Sequence, residues 1–360
     1  MLDEDESRLI DVVRVLCITS MMWVHVNPGP SVPSIVNVGE FHWIGLFLSD
    51  VLGRMSVCTL TFVSGYLFWK MHVFAPLPVI IGRLVRGLVI PMVLWGMVFL
   101  VLAFAKAALL GPSTAIEEIN STPLGYLNAV FGLSGHTANE SLFFLRDLVV
   151  ATILLRLMWR VVMAAPLVAV CAVIALTSFV DLQPLLFRSS ILVFLTLGAA
   201  TARLGSGVAN LSRPEIAVPA AAIVAIAYVA IVIIGSRSGT PAPEIAGMLR
   251  RIGLMLLALV AARALLFTAA GDALAGAGRH MYLAYLAHVP LFGVAWAVWQ
   301  HAAGGPLQER YVIFYVASPI VAIGVAVVAG TLIDRAPPAL QKLIRGRAVR
   351  RRIPALAVPQ

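Results

Sequence analysis

The chain has 360 residues, 61% of them hydrophobic and 12% charged, with a mean hydropathy of +0.96; a soluble globular chain carries roughly 25% charged residues, so a soluble domain is excluded and length sets a number of membrane spans. The net charge of +9 reads as topology and lipid-headgroup attraction, not nucleic-acid binding. The cysteines Cys17, Cys58 and Cys171 stand in apolar stretches and offer neither a disulfide framework nor metal-ligand spacing.

The N-terminus, "MLDEDES", is acidic where a cleavable signal sequence would be basic. A helix needs about 20 apolar residues to cross the hydrocarbon core. That length predicts an all-α bundle of ten spans, at about 9–26, 51–69, 87–106, 140–159, 163–180, 187–203, 215–235, 248–269, 280–299 and 311–333. Breaker-rich stretches such as "NPGPSVPS" and "SRSGTPAP" separate them. An even number of spans puts both termini on one side. That side holds about 18 of the 26 Lys and Arg, while 27–50 and 107–139 hold none, so both termini are expected in the cytoplasm. The chain divides into a membrane domain, 1–335, and a basic tail, 336–360, that can rest on anionic lipid.

In the first span, "RVLCITSMMWVH", Arg14 and His25 stand eleven residues apart. At 1.5 Å and about 100° per residue they lie about 16 Å apart on nearly one face. An arginine at the inner interface suits a phosphate, and an imidazole deeper on the same face suits acid–base chemistry. A long, thin donor such as coenzyme A matches that spacing. The alternative is an interfacial anchor and an ordinary interfacial histidine. Ser64 and Gly65 sit near the inner end of the second span, where they allow close approach or serve helix packing. Arg83 and Arg86 share a helical face before the third span, either as topology anchors or as a cationic cluster level with Arg14.

The fourth span opens "NESLFFLRDLVVA". Glu140 is at its boundary. Arg146 and Asp147 lie within it, and adjacent residues do not face each other. Each is therefore expected to pair with a group on another helix, as scaffold or as acceptor site. In the ninth span, "RHMYLAYLAHVPLF", His288 is mid-membrane with Tyr282 and Tyr285 on its stripe. A mid-bilayer histidine is a functional candidate by default.

Taken in order, these stretches resemble the acyltransferase 3 family of multi-pass membrane acyltransferases. The resemblance rests on Asp11, Arg14 and His25; on Ser64, Gly65 and Tyr66; on Arg83 and Arg86 followed by Pro91; on "LFFLRDL", with Phe143 where sugar-modifying members often have tryptophan; and on Tyr285, Leu286, His288 and Pro290. It spans nearly the whole chain. It implies an O-acyltransferase, commonly moving acetyl from acetyl-CoA to a sugar hydroxyl of an exported glycan, with no metal.

By the same resemblance His25 is the expected catalytic residue and the arginines Arg14, Arg83 and Arg86 are expected to hold CoA; His288 is a second catalytic candidate, and Ser64 is expected to line the donor channel. Asp11, Tyr66, Glu140, Arg146, Asp147 and Tyr285 are expected to bind substrate or support the site. Direct transfer and a covalent acyl-histidine both remain open. The implied partners are acyl-CoA, a glycan or lipid-linked sugar, membrane lipids and a polysaccharide synthesis or export complex. The implied location is the cell membrane, the inner membrane in a Gram-negative cell. A transporter or flippase for a glycan or lipid-linked precursor is the rival reading.

Overall fold

The computed structural model describes residues 4–26, 33–110, 119, 122–135, 137–234 and 242–348, which form helices and no strand. In chain order the principal helices are α1 (Glu4–Val24), α2 (His42–His72), α3 (Leu77–Leu109), α4 (Pro123–Phe131), α5 (Phe143–Leu157), α6 (Pro166–Phe179), α7 (Ser190–Arg203), α8 (Pro214–Ile234), α9 (Ala242–Leu266), α10 (Gly271–Gly278), α11 (Met281–Ala303), α12 (Tyr311–Ile333) and α13 (Pro338–Arg345). Six of them, α2, α3, α8, α9, α11 and α12, are long and apolar enough to cross a membrane.

The other four expected spans are helical but do not meet that description. α5 has 15 residues and α6 and α7 have 14 each, a rise of about 21–23 Å against a hydrocarbon core of about 30 Å. Pro166 interrupts the fifth expected span, because it cannot donate to the preceding turn at Trp159–Ala164.

α1 has 21 residues but is acidic and basic through its first half. It packs against α2, α9, α10, α11 and α12, so protein rather than lipid surrounds it, and Val12, Val13, Cys17 and Met22 are fully buried. Surrounding protein supplies partners that lipid cannot. Glu6 accepts from the Tyr66 hydroxyl at 2.6 Å and from the Val208 N–H at 2.9 Å, with Lys70 3.8 Å away. Arg8 pairs with Asp272, and Arg14 pairs with Asp11 at 2.6 Å.

The first half of α1 joins a core with α2, α5 and α7, and its second half joins another with α11 and α12. Two glycines set the closest crossing. A Cβ on Gly65 of α2 would sit 2.0 Å from the Leu195 carbonyl oxygen, and one on Gly198 of α7 would sit 2.0 Å from that of Phe62. The Ser-Gly pair of the second span therefore serves close helix packing. Peripheral α8 exposes Val218, Ile226, Val232 and Ile233, as a lipid-facing helix does. The chain is a multi-pass membrane protein.

Candidate active site

His25 follows the last residue of α1, and its N–H donates to the Met22 carbonyl at 2.9 Å. Its ring opens on a cavity of about 760 Å³, which Ser49, Asp50, Arg54, Ser141, Phe144, Arg188 and Arg251 also line. Behind it, fully buried, is His288, with ring centroids 5.3 Å apart. His288 Nδ1 lies 2.6 Å from the Tyr285 carbonyl oxygen. A carbonyl only accepts, so Nδ1 carries the proton and Nε2 is the basic nitrogen. That Nε2 is buried and has no hydrogen-bond partner.

Tyr282, Tyr285 and His288 rise one turn apart along α11. The two tyrosine rings stack at 6.4 Å. Tyr282 donates to the Gly87 carbonyl at 3.0 Å, and Tyr285 donates to that of Ser141. Gly87 belongs to a second cavity, of about 610 Å³, lined by Arg83, Arg86, Ile90, Lys342, Gly346 and Arg347. The two cavities share no lining residue. The stripe on α11 spans six residues, or about 9 Å, and connects the wall of one cavity to that of the other. Arg14 stands toward the second cavity, where it is an electrostatic neighbour of Arg347.

The sequence-predicted residues thus divide between two ends. His25, His288 and Tyr285 come together at one. Arg83 and Arg86 line the cleft at the other, with Arg14 and its partner Asp11 near it. Arg83 also meets His72 at 2.6 Å, and Arg86 donates to the Gly82 carbonyl at 2.9 Å. Ser64 lies outside the lining of both cavities, and its hydroxyl donates to the Leu60 carbonyl at 2.7 Å. Tyr66 holds Glu6 of α1. Glu140 is an exposed residue of the turn before α5 and an electrostatic neighbour of Arg188.

The expectation for Arg146 and Asp147 is corrected. They pair with each other at 2.7 Å, not with other helices. The Arg146 side chain is long enough to fold back past its neighbour. It also donates to the Leu185 carbonyl at 2.8 Å and to the Pro184 carbonyl, and it lies 4.4 Å from the Phe187 ring. Asp147 is fully buried and accepts the Arg188 N–H at 2.8 Å. The pair is scaffold that fixes the loop between α6 and α7.

The tail, as far as it is described, contributes to the cleft: its helix α13 supplies Lys342 and Leu343 to the lining. Trp95 donates to the Ile344 carbonyl at 3.1 Å, Arg347 to that of Arg279 at 2.6 Å, and Arg345 pairs with Asp334. Residues 349–360 lie outside the described residues. Sequence reasoning missed Lys342 and Arg347 in the cleft and Arg54, Arg188 and Arg251 in the cavity beside His25. For Arg54 and Arg251 the signal was a charge at the edge of an apolar span. Arg188 gave none, because a loop places it.

The profile of the acyltransferase 3 family, described as an acyltransferase domain, matches residues 8–333. The chain belongs to the acyltransferase 3 family. That membership makes it an acyltransferase of the kind that transfers groups other than aminoacyl groups, and sets aside the transporter reading. Among curated relatives of this acyltransferase is the succinoglycan biosynthesis protein ExoH of Rhizobium meliloti (strain 1021), 26% identical over 362 residues that cover 96% of this chain and 93% of ExoH. No solved structure matches the chain.

Proposed function

We propose that this acyltransferase moves an acyl group, acetyl in its simplest form, from cytosolic acyl-CoA to a sugar hydroxyl of an exopolysaccharide or related cell-surface glycan. The observation that carries this reading is the arrangement of α1: a cationic cleft toward Arg14, and the His25–His288 pair in a separate polar cavity at the other end. The similarity to a succinoglycan biosynthesis protein supports the glycan.

The cleft faces the cytoplasm with both chain termini, and the lysine and arginine distribution supports that orientation. Arg83, Arg86, Lys342 and Arg347 hold the phosphates of CoA there, since guanidinium forks match phosphate oxygens, and Arg14 stands at the entrance to the path. The pantetheine arm passes the stripe of Tyr282 and Tyr285 and brings the thioester to His25. The α1 spacing of about 16 Å suits that arm.

At His25 the acceptor hydroxyl gives its proton to the imidazole as its oxygen attacks the thioester carbonyl carbon. The C–S bond breaks, the ester forms, and the departing sulfur takes the proton back from the imidazolium. His288 lies against His25 with one nitrogen fixed by the Tyr285 carbonyl, and positions it. The four shorter or more polar helices, α1, α5, α6 and α7, complete a ten-span bundle in the cell membrane, the inner membrane in a Gram-negative cell, beside a polysaccharide synthesis or export complex.

The test uses protein reconstituted in vesicles, with acyl-labelled acetyl-CoA on one side and a surface oligosaccharide on the other. The expected result is label in the sugar. Label that stays on CoA with every acceptor and in either orientation contradicts the reading.

A further inference from the structure

The cavity at His25 has a charge pattern that a neutral sugar and an acetyl group do not require. Arg54 of α2, Arg188 of the α6–α7 loop and Arg251 of α9 all line it. They are electrostatic neighbours of one another. Arg188 also acts on His25.

Three carboxylates, Asp50, Asp181 and Glu244, stand in the same wall, but none forms an ion pair with Arg188 or Arg251. Asp50 is used by Arg54 at 2.7 Å. Asp181 accepts the Gln183 N–H at 3.0 Å. Glu244 is a neighbour of Arg251 but makes no ion pair with it. Among the described residues, the guanidiniums of Arg188 and Arg251 have neither an ion pair nor a hydrogen bond. They are nevertheless held in place. Arg188 lies 4.8 Å from the Phe143 ring and its N–H is fixed by buried Asp147, while the backbone of Arg251 is set by α9 and its side chain is half-buried. Two guanidiniums that face one recess with no ion-pair or hydrogen-bond partner of their own fit a planar anion, which accepts two parallel hydrogen bonds from each fork.

We propose that the outer cavity is a carboxylate site, and that one of the two reactants meeting at His25 carries a carboxylate held there by Arg188 and Arg251, with Arg54 at the rim. The proposal rests on the acyl-transfer reading and narrows its substrate class. The carboxylate belongs either to the acceptor, as an acidic sugar, or to the acyl group, as the free end of a dicarboxylic acid joined to CoA through its other end. Both reach the same recess, one from outside and one from the thioester.

The experiment uses the purified full-length protein with two matched pairs of probes. One pair is a tetrasaccharide with and without a glucuronate residue. The other is a set of donors, malonyl- and succinyl-CoA against acetyl- and butyryl-CoA. Transfer is read by mass spectrometry, and binding of each probe is read separately by thermophoresis. Wild-type protein should favour the charged member of one pair by at least about tenfold, and the favoured pair identifies the source.

That ratio should fall by about tenfold or more, toward one, in Arg188→Gln and Arg251→Gln, as the loss of a charge-assisted hydrogen bond requires. It should recover in part in Arg188→Lys and Arg251→Lys, which controls for misfolding. Charge-selective binding without transfer upholds the site and overturns the acyl-transfer reading. Equal binding of charged and neutral probes, or a preference unmoved by either glutamine variant, overturns the site.

Discussion

His25 and His288 face each other with ring centroids 5.3 Å apart, one just past the end of α1 and the other fully buried in α11. The contact puts a second, buried imidazole behind the one that lines the cavity. His288 has one nitrogen committed to the Tyr285 carbonyl at 2.6 Å and the other unpartnered. His288→Gln, which retains a donor and an acceptor, is expected to lower kcat by about ten- to hundredfold while leaving KM for the donor within a factor of about three. His288→Ala should cost more, since it also removes buried volume. A KM effect as large as the kcat effect would place His288 in donor binding instead.

The cleft of Arg83, Arg86, Lys342 and Arg347 should hold the phosphates of CoA. Replacing any one with Ala is expected to weaken CoA binding by about ten- to hundredfold, at roughly 1.5–3 kcal/mol per charge-assisted contact. Exposed cations should fall at the low end of that range, because solvent and salt screen them. Calorimetry with free CoA at two salt concentrations measures this. Unchanged affinity in both Arg83→Ala and Arg347→Ala would move the donor elsewhere.

Asp147 joins Arg146 to the backbone of the loop that carries Arg188. Asp147→Ala breaks a pair whose carboxylate is fully buried, and breaking a buried pair costs about 3–5 kcal/mol. The lower end is expected because Arg146 keeps the carbonyls of Pro184 and Leu185. Asp147→Asn retains one acceptor oxygen for the Arg188 N–H and should be milder. Thermal unfolding in detergent should rank wild type above Asn and Asn above Ala. An alanine variant as stable as wild type contradicts the scaffold role.

The crossing of α2 and α7 admits no side chain at either glycine. Gly65→Val and Gly198→Val drive new atoms into opposing backbone carbonyls 2.0 Å from the Cβ position, and backbone cannot rotate away as a side chain can. Both should lower the yield of monodisperse protein on size exclusion, at a cost at or above the usual 1–3 kcal/mol of overpacking. Substitution at Gly293, which has open space around it, is the control.

The parts of the candidate site that were legible lie along single helices. The eleven residues from Arg14 to His25, and the turn-by-turn rise from Tyr282 to His288, are fixed by helical geometry before any packing is known. What depends on packing was not legible. Arg54, Arg188 and Arg251 come from a helix, a loop and another helix, and nothing in their spacing says that they meet. Arg146 and Asp147 were misread because the direction of adjacent Cα–Cβ bonds says little about where a long guanidinium ends. The tail read as a basic run, yet Ile344 and Gln341 place α13 on the cleft, with Gln341 donating to the Asp334 and Ala336 carbonyls at 3.1 and 2.9 Å. Six helices announce themselves by length and hydropathy. α1 does not, because the protein around it supplies the partners that its charges need.

The central claim is that His25 takes the proton of the acceptor hydroxyl. The most direct measurement compares wild type with His25→Ala, purified and shown by size exclusion and CoA calorimetry to be folded and donor-competent, and follows acylated sugar under single-turnover conditions. General-base catalysis of this kind contributes about 10²- to 10⁴-fold. The account predicts a loss of that size in the transfer rate with CoA affinity within a factor of about three. A variant that transfers at near the wild-type rate while binding CoA normally would contradict it.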